Sequence, residues 1–173
     1  INLDVYRLNG DINIKSTNAN IKVEGGSLNI ASLDLSGDPS FTNVTGDVNL
    51  GPGPASPGTA SFNIFGAGPV FTTGGALFNV SAGGNIVALN GAAGTVDASL
   101  FGGTGGAITL TAGTSATGGS VILPQVNFKT NGNTIQITAT ATKTTAGSVS
   151  VGTLNTSRAG GVCYQRGPGA PEQ

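Results

Sequence analysis

A glycine pair followed by a short run with aliphatic residues at alternate positions recurs along this chain. It reads Gly25-Gly26-Ser27-Leu28-Asn29-Ile30, Gly105-Gly106-Ala107-Ile108-Thr109-Leu110 and Gly118-Gly119-Ser120-Val121-Ile122-Leu123, with a looser copy at Gly83-Gly84-Asn85-Ile86-Val87-Ala88-Leu89. Glycine turns sharply without steric penalty, and the alternation after it sends one side-chain set into a core and the other to solvent. Such a chain is expected to be a stack of short strands, with Ile108 facing the core. The second glycines of the later copies fall at Gly84, Gly106 and Gly119, two unequal steps that make a quasi-period only.

The first third has the clearest rhythm. Leu3-Asp4-Val5, Ile12-Asn13-Ile14, Ile21-Lys22-Val23, Leu28-Asn29-Ile30 and Leu33-Asp34-Leu35 each set a polar residue between two apolar ones, the mark of a strand buried on one face. Ile12, Ile21 and Ile30 are evenly spaced, nine positions apart. Asn13, Asn29, Asn49, Asn63 and Asn79 sit between apolar neighbours and read as outward strand residues. Thr134 to Thr142 alternates strictly and is expected to be the longest strand, with Ser148 to Leu154 as the next. No amphipathic helix is visible. Three prolines and three glycines in Gly51 to Gly58 preclude a full ladder or a helix, and the same strand vocabulary on both sides makes this a loop within one stack. The expected organisation is one domain over residues 1–160 with that loop near 51–58, and an extended tail over 161–173.

Composition bears on what such a stack could do. Thirty glycines and 9% charged residues are far from the usual globular mixture, but abundant Val, Ile and Thr argue for a folded chain. Net charge is −1 and the seven Lys and Arg are scattered, so no basic face for nucleic acid is present. Aliphatic runs are broken every few residues by Gly, Asn or Thr, which argues against membrane insertion. Asp4, Arg7, Asp11, Lys15, Lys22, Glu24, Asp34, Asp38 and Asp47 crowd the first fifty residues, whereas Asp97 alone is charged between Gly51 and Phe128. Thr, Ser and Asn must solvate the middle, as on a surface suited to lateral contact or regular stacking. The chain starts within a strand pattern and lacks Met, which suggests a processed or excised segment.

No constellation of catalytic residues stands out, and neither an enzymatic activity nor a cofactor is expected. The chain has no His, and Cys163 is its single cysteine, so there is no intrachain disulfide and no cysteine zinc site; Cys163 is instead a candidate for an intermolecular thiol bond. Gly102-Gly103-Thr104-Gly105-Gly106 is rich enough in glycine for a phosphate loop, but a strand follows where a helix is needed. Asp34, Asp38 and Asp47 read as solvated carboxylates, without the spacing of a calcium loop, and no metal site is assigned. Asn43-Val44-Thr45, Asn79-Val80-Ser81 and Asn155-Thr156-Ser157 match the glycosylation acceptor pattern. Phe62, Phe65, Phe71 and Phe78 read first as core and second as a stacking surface for sugar or a neighbouring subunit.

The segment from about Gly83 to Leu123 resembles the repeats of filamentous-haemagglutinin-like exoproteins secreted by the two-partner route. The residues that carry this are Gly84 to Gly91, Val96-Asp97-Ala98-Ser99-Leu100 and Gly106 to Gly113. The resemblance implies a parallel β-helix, an extracellular or cell-surface location and a role in adhesion. The family's amino-terminal secretion motif is absent, and the repeat length wanders.

The reading is thus an all-β chain, a parallel β-helix or β-solenoid of glycine-punctuated strands, with a pilin-like β-sandwich completed by a neighbour's strand as the alternative. Its expected function is structural or adhesive: a subunit of a head-to-tail filament, or a segment of a fibrous surface adhesin. A carbohydrate-binding β-helix module is the other reading. A solenoid's first and last strands present unpaired N–H and C=O groups to another chain. The candidate assembly edges are Leu3, Val5 and Tyr6 at one end and Val149, Val151 and Leu154 at the other. The partner is then another copy, with a glycan or a host or cell surface as a further one.

Overall fold

The computed structural model describes residues 1–16, 18–35, 39–51, 60–63, 77–88, 91, 93–98 and 106–157. Its regular elements are all strands: β1 (Asn2–Val5), β2 (Asp11–Ser16), β3 (Asn20–Val23), β4 (Ser27–Leu35), β5 (Ser40–Asn43), β6 (Asp47–Leu50), β7 (Ala60–Asn63), β8 (Phe78–Ala82), β9 (Ile86–Ala88), β10 (Gly94–Asp97), β11 (Ile108–Ala112), β12 (Val121–Leu123), β13 (Val126–Lys129), β14 (Ile135–Ala139), β15 (Val149–Val151) and β16 (Leu154–Asn155). The first sheet has the order β1-β3-β5-β8-β11-β14. The second forks at β4: Ser27–Ile30 of that strand lie against β6, Leu33 and Asp34 lie against β7, and β2 runs along the other edge. One branch continues as β6-β9-β12-β15 and the other as β7-β10-β13-β16.

Every pairing among these strands is parallel. This overturns the β-sandwich alternative, because sandwiches of that kind pair their strands antiparallel. The chain instead passes through the first sheet, then one branch of the second, then the other, and returns beside its earlier strand. Asn2 pairs with Asn20, Asn20 with Ser40, Ser40 with Asn79, Asn79 with Thr109 and Thr109 with Gln136. The circuit from Asn2 to Asn20 is the shortest of these, and the third, from Ser40 to Asn79, is the longest. The even spacing of the three isoleucines is half of the first circuit: Ile12 pairs with Ile30 in the second sheet while Ile21 pairs with Leu3 in the first. The long third circuit holds the expected loop, of which residues 52–59 lie outside the described residues.

The longest strand is β4, at nine residues, and not the stretch around Thr134, where β14 spans five. Leu28-Asn29-Ile30 and Leu33-Asp34-Leu35 join because Ala31-Ser32 between them carries no Gly, Pro, Asn or Asp to turn the chain. The register against β2 shifts after Ile12, so Ala31 is an extra residue in the ladder. Such a bulge bends a strand without ending it, and here it makes the corner where the two branches diverge.

The alternation closes a single core. Ile21, Phe41, Val80 and Leu110 succeed one another in register inside the first sheet, and Leu28, Val48, Ile86 and Val121 do so inside the second, all of them buried. Phe41 and Phe78 stack at 6.2 Å between ring centroids. Phe78 and Phe128 are core residues, while Phe65 and Phe71 lie outside the described residues. Each such side chain contributes about 1.5–3 kcal/mol by leaving water. Ile108 is fully buried, as its place in the glycine phrase requires. Replacing it by Asp should abolish the cooperative thermal transition, because an unpaired buried carboxylate costs several kcal/mol, comparable with the stability of a whole domain. A variant that melts like the parent would contradict the inward placement of β11.

Candidate functional site

One corner repeats in five successive circuits. Gly26, Gly46, Gly84, Gly119 and Gly147 each precede the residue that enters the first branch of the second sheet, and the register aligns them. The reason is close approach: a methyl on Gly46 would collide with the Gly26 carbonyl oxygen, and one on Gly119 with that of Gly84. The following residues, Ser27, Asp47, Asn85, Ser120 and Ser148, form a polar column. There the Asn85 N–H donates to Asp47 Oδ1 at 2.6 Å, the Ser120 N–H to Asn85 Oδ1 at 2.9 Å, and the Ser148 N–H to Ser120 Oγ at 3.0 Å. The side chains of Asp47, Asn85 and Ser120 thus each fasten the backbone of the next circuit to their own. Beside the column the buried Asn43 amide donates to the carbonyls of Gly26 (2.8 Å) and Asp47 (2.9 Å), and its oxygen accepts from the Gly46 N–H (2.9 Å).

The glycine phrase is consequently not one structural position. Gly26, Gly84 and Gly119 occupy this corner, whereas Gly106 enters β11 of the first sheet and donates its N–H to the Ala98 carbonyl at 2.7 Å. The unequal steps from Gly84 to Gly106 and from Gly106 to Gly119 mix two corners. A shorter word is common to all five: Gly, then Ser, Asp or Asn, then an aliphatic residue, although Gly10-Asp11-Ile12 matches it too and stands elsewhere, with Asp11 paired to Asn29. It also picks out Gly46-Asp47-Val48 and Gly147-Ser148-Val149, which a search for glycine pairs passes over.

Asn13, Asn29, Asn49 and Asn79 face outward as expected, and some of the outward asparagines bond across circuits. Asn49 faces outward yet is only 6% exposed, and it donates to Asn29 Oδ1 at 2.7 Å. Asn20 donates to Asn2 Oδ1 at 3.0 Å and Asn79 to Ser40 Oγ at 3.2 Å. With neighbouring parallel strands about 4.8 Å apart, stacked amides satisfy one another and do not depend on water. Of the glycosylation matches, Asn43 is buried, Asn79 is half-buried in β8, and Asn155 is exposed on β16.

Ion pairs along and across strands decorate the outer faces. Lys22 Nζ lies 2.6 Å from Glu24 and 3.4 Å from Asp4, and the hydrogen bond to Glu24 leads the effects that raise its pKa above the ordinary lysine value. Lys129 Nζ lies 3.5 Å from Asp97 on the adjoining strand. A groove of about 370 Å³ runs across the first sheet near β1, walled by Asn2, Asn20 and Ser40 on one side and Asp4, Lys22 and Thr42 on the other. Among the described residues no group of three His, Cys, Asp or Glu could hold a metal ion. No helix among them is long and apolar enough to cross a membrane. Asp38, Gly102 to Gly105, Cys163 and the tail over 161–173 lie outside the described residues.

The candidate edge residues fall at the two ends of the stack. Leu3 and Val5 are half-buried on β1, and Tyr6 follows that strand 76% exposed. Val149 and Val151 lie on β15 and Leu154 on β16, with Val149 and Leu154 each 49% exposed. Alternation alone marks β14 as a strand and not as an edge, although Ile135 and Ile137 on it are only half-buried. Among the described residues β1 pairs with β3 alone, β14 with β11, β15 with β12 and β16 with β13.

No family model, no curated protein and no solved structure matches the chain. The column makes its own demand: Asn85→Ala removes the acceptor of the Ser120 N–H and the amide that reaches Asp47. It should lower stability by about 1–3 kcal/mol in urea titration, the cost of stranding a buried donor. Asn2→Ala, on an exposed end strand, should cost well under about 1 kcal/mol. Equal costs would contradict the column's role.

Proposed function

We propose that the chain is a parallel β-solenoid with a structural or adhesive role outside the cell. It is a stretch of an extracellular fibre, built by copies joining end to end or by further circuits of a fibrous surface adhesin. One observation carries this reading: register-locked parallel circuits end in strands with no described strand against their outer edges, and apolar residues run in line with the core at both ends. Soluble proteins guard exposed strand edges with Lys, Pro or a covering element, and repeat stacks with polar capping units. The strands β14, β15 and β16 contain no charged residue.

The likeness of Gly83 to Leu123 to filamentous-haemagglutinin-like repeats supports the extracellular, adhesive side of the reading. The groove on the first sheet, mostly apolar in its lining with amide, hydroxyl and charged groups along it, is the place offered to an adhesive ligand such as a glycan on a cell surface.

Purified protein should form ordered polymers in sedimentation and electron microscopy at both about 0.1 M and about 1 M salt, because backbone pairing and apolar burial are little screened. The six described circuits at about 4.8 Å each set an axial repeat of about 29 Å. A homogeneous monomer at both salt concentrations would overturn end-to-end assembly.

A further inference from the structure

We infer that the junction between copies has a single register: β14 of one copy lies against β1 of the next, β15 against the first part of β2, and β16 against its second part. This rests on the end-to-end reading above and adds which residues meet. Inside the molecule each position of a circuit recurs in a straight column, so the column assignments already relate the last circuit to the first. Gln136 shares its column with Asn2, Ile137 with Leu3, Thr138 with Asp4 and Ala139 with Val5. In the second sheet Ser150 shares a column with Asp11 and Val151 with Ile12. On the other branch Leu154 shares one with Ile14, and Asn155 with Lys15.

Laying the next copy on these columns joins like to like. The inward pairs are Ile137 on Leu3, Ala139 on Val5, Val151 on Ile12 and Leu154 on Ile14, which extends the core across the junction. The outward pairs include Gln136 on Asn2 and Thr138 on Asp4, and the column mates of Asp11 and Lys15 are the uncharged Ser150 and Asn155, so no charge meets a like charge. Gln136 over Asn2 also prolongs the amide stacking that Asn20 and Asn2 begin. In the corner column Ser148 is the last described hydroxyl, on the side that the incoming copy covers. A slip of one residue would set Ile137 against Asp4 and put the backbone N–H and C=O groups of the two rigid copies out of phase, so the ladder could not form. A slip of two keeps the alternation but shortens the ladder between β1 and β14.

Disulfide trapping reads the register directly. Asn2 and Gln136 are both exposed, and in a Cys163→Ser background Asn2→Cys with Gln136→Cys places two thiols on neighbouring strands of different copies, about 4.8 Å apart between Cα atoms and within bridging range. Within one copy the same positions are five strand spacings apart, about 24 Å, too far to bridge. Mild oxidation of the assembled variant should give a ladder of covalent multimers on non-reducing gels, and so should the second in-register pair, Asp4→Cys with Thr138→Cys. The offset pair, Asp4→Cys with Gln136→Cys, should give about tenfold less, since its Cα separation of about 8 Å exceeds disulfide geometry. Polymers with no covalent multimers from either in-register pair, or with equal multimers from the offset pair, would overturn the register and leave end-to-end assembly standing. Absence of polymers in the parent protein would overturn both.

Discussion

When the Asn85 N–H reaches 2.6 Å to the Asp47 carboxylate, it crosses from one circuit of the chain to the circuit before it. The molecule depends on this kind of contact, because such short parallel strands are individually marginal and hold only when their neighbours fix the register. A one-residue slip would turn the core outward. Glycine at the corner lets the circuits approach, and the polar residue after it supplies the side chain that fastens the next backbone. The apolar columns then stack without interruption, and the outer faces are left to Asn, Ser and Thr.

Much of this is legible in the residues themselves. Alternation in Leu28-Asn29-Ile30 or Ile108-Thr109-Leu110 fixes both strand and inward face, since a period of two leaves no other way to bury the aliphatic set. The even spacing of Ile12, Ile21 and Ile30 is visible as well, but its meaning requires knowing that the circuit alternates between sheets. Pairing is less legible, because each strand's partner lies a whole circuit away and insertions at other corners stretch that distance, from the short step of Asn2 to Asn20 to the long one of Ser40 to Asn79. Gly106 therefore looks like a copy of Gly84 while standing at a different corner. Asn43 and Asn49 are equally opaque: whether an amide faces water or a neighbouring amide depends on what the adjacent circuit brings beside it.

The same stacking logic links fold to the proposed role. A stack that pairs each circuit with the next has no internal reason to stop, and the ends are where sequence must intervene. Here the last described strands bear no charge, whereas charged residues gather in the first fifty positions, where Lys22 pairs with Glu24 and Asp4. Such exposed pairs add little stability, so the ion pairs bear on surface character more than on folding.

The central claim is that side chains in the corner column tie each circuit to the next, and native-state amide hydrogen exchange followed by NMR tests it most directly. The Asn85 and Ser120 amides should exchange only through global unfolding, with Ser148, on the last described circuit, exchanging sooner. Asn85 and Ser120 amides that exchange as fast as that of the exposed Gly10 would contradict it.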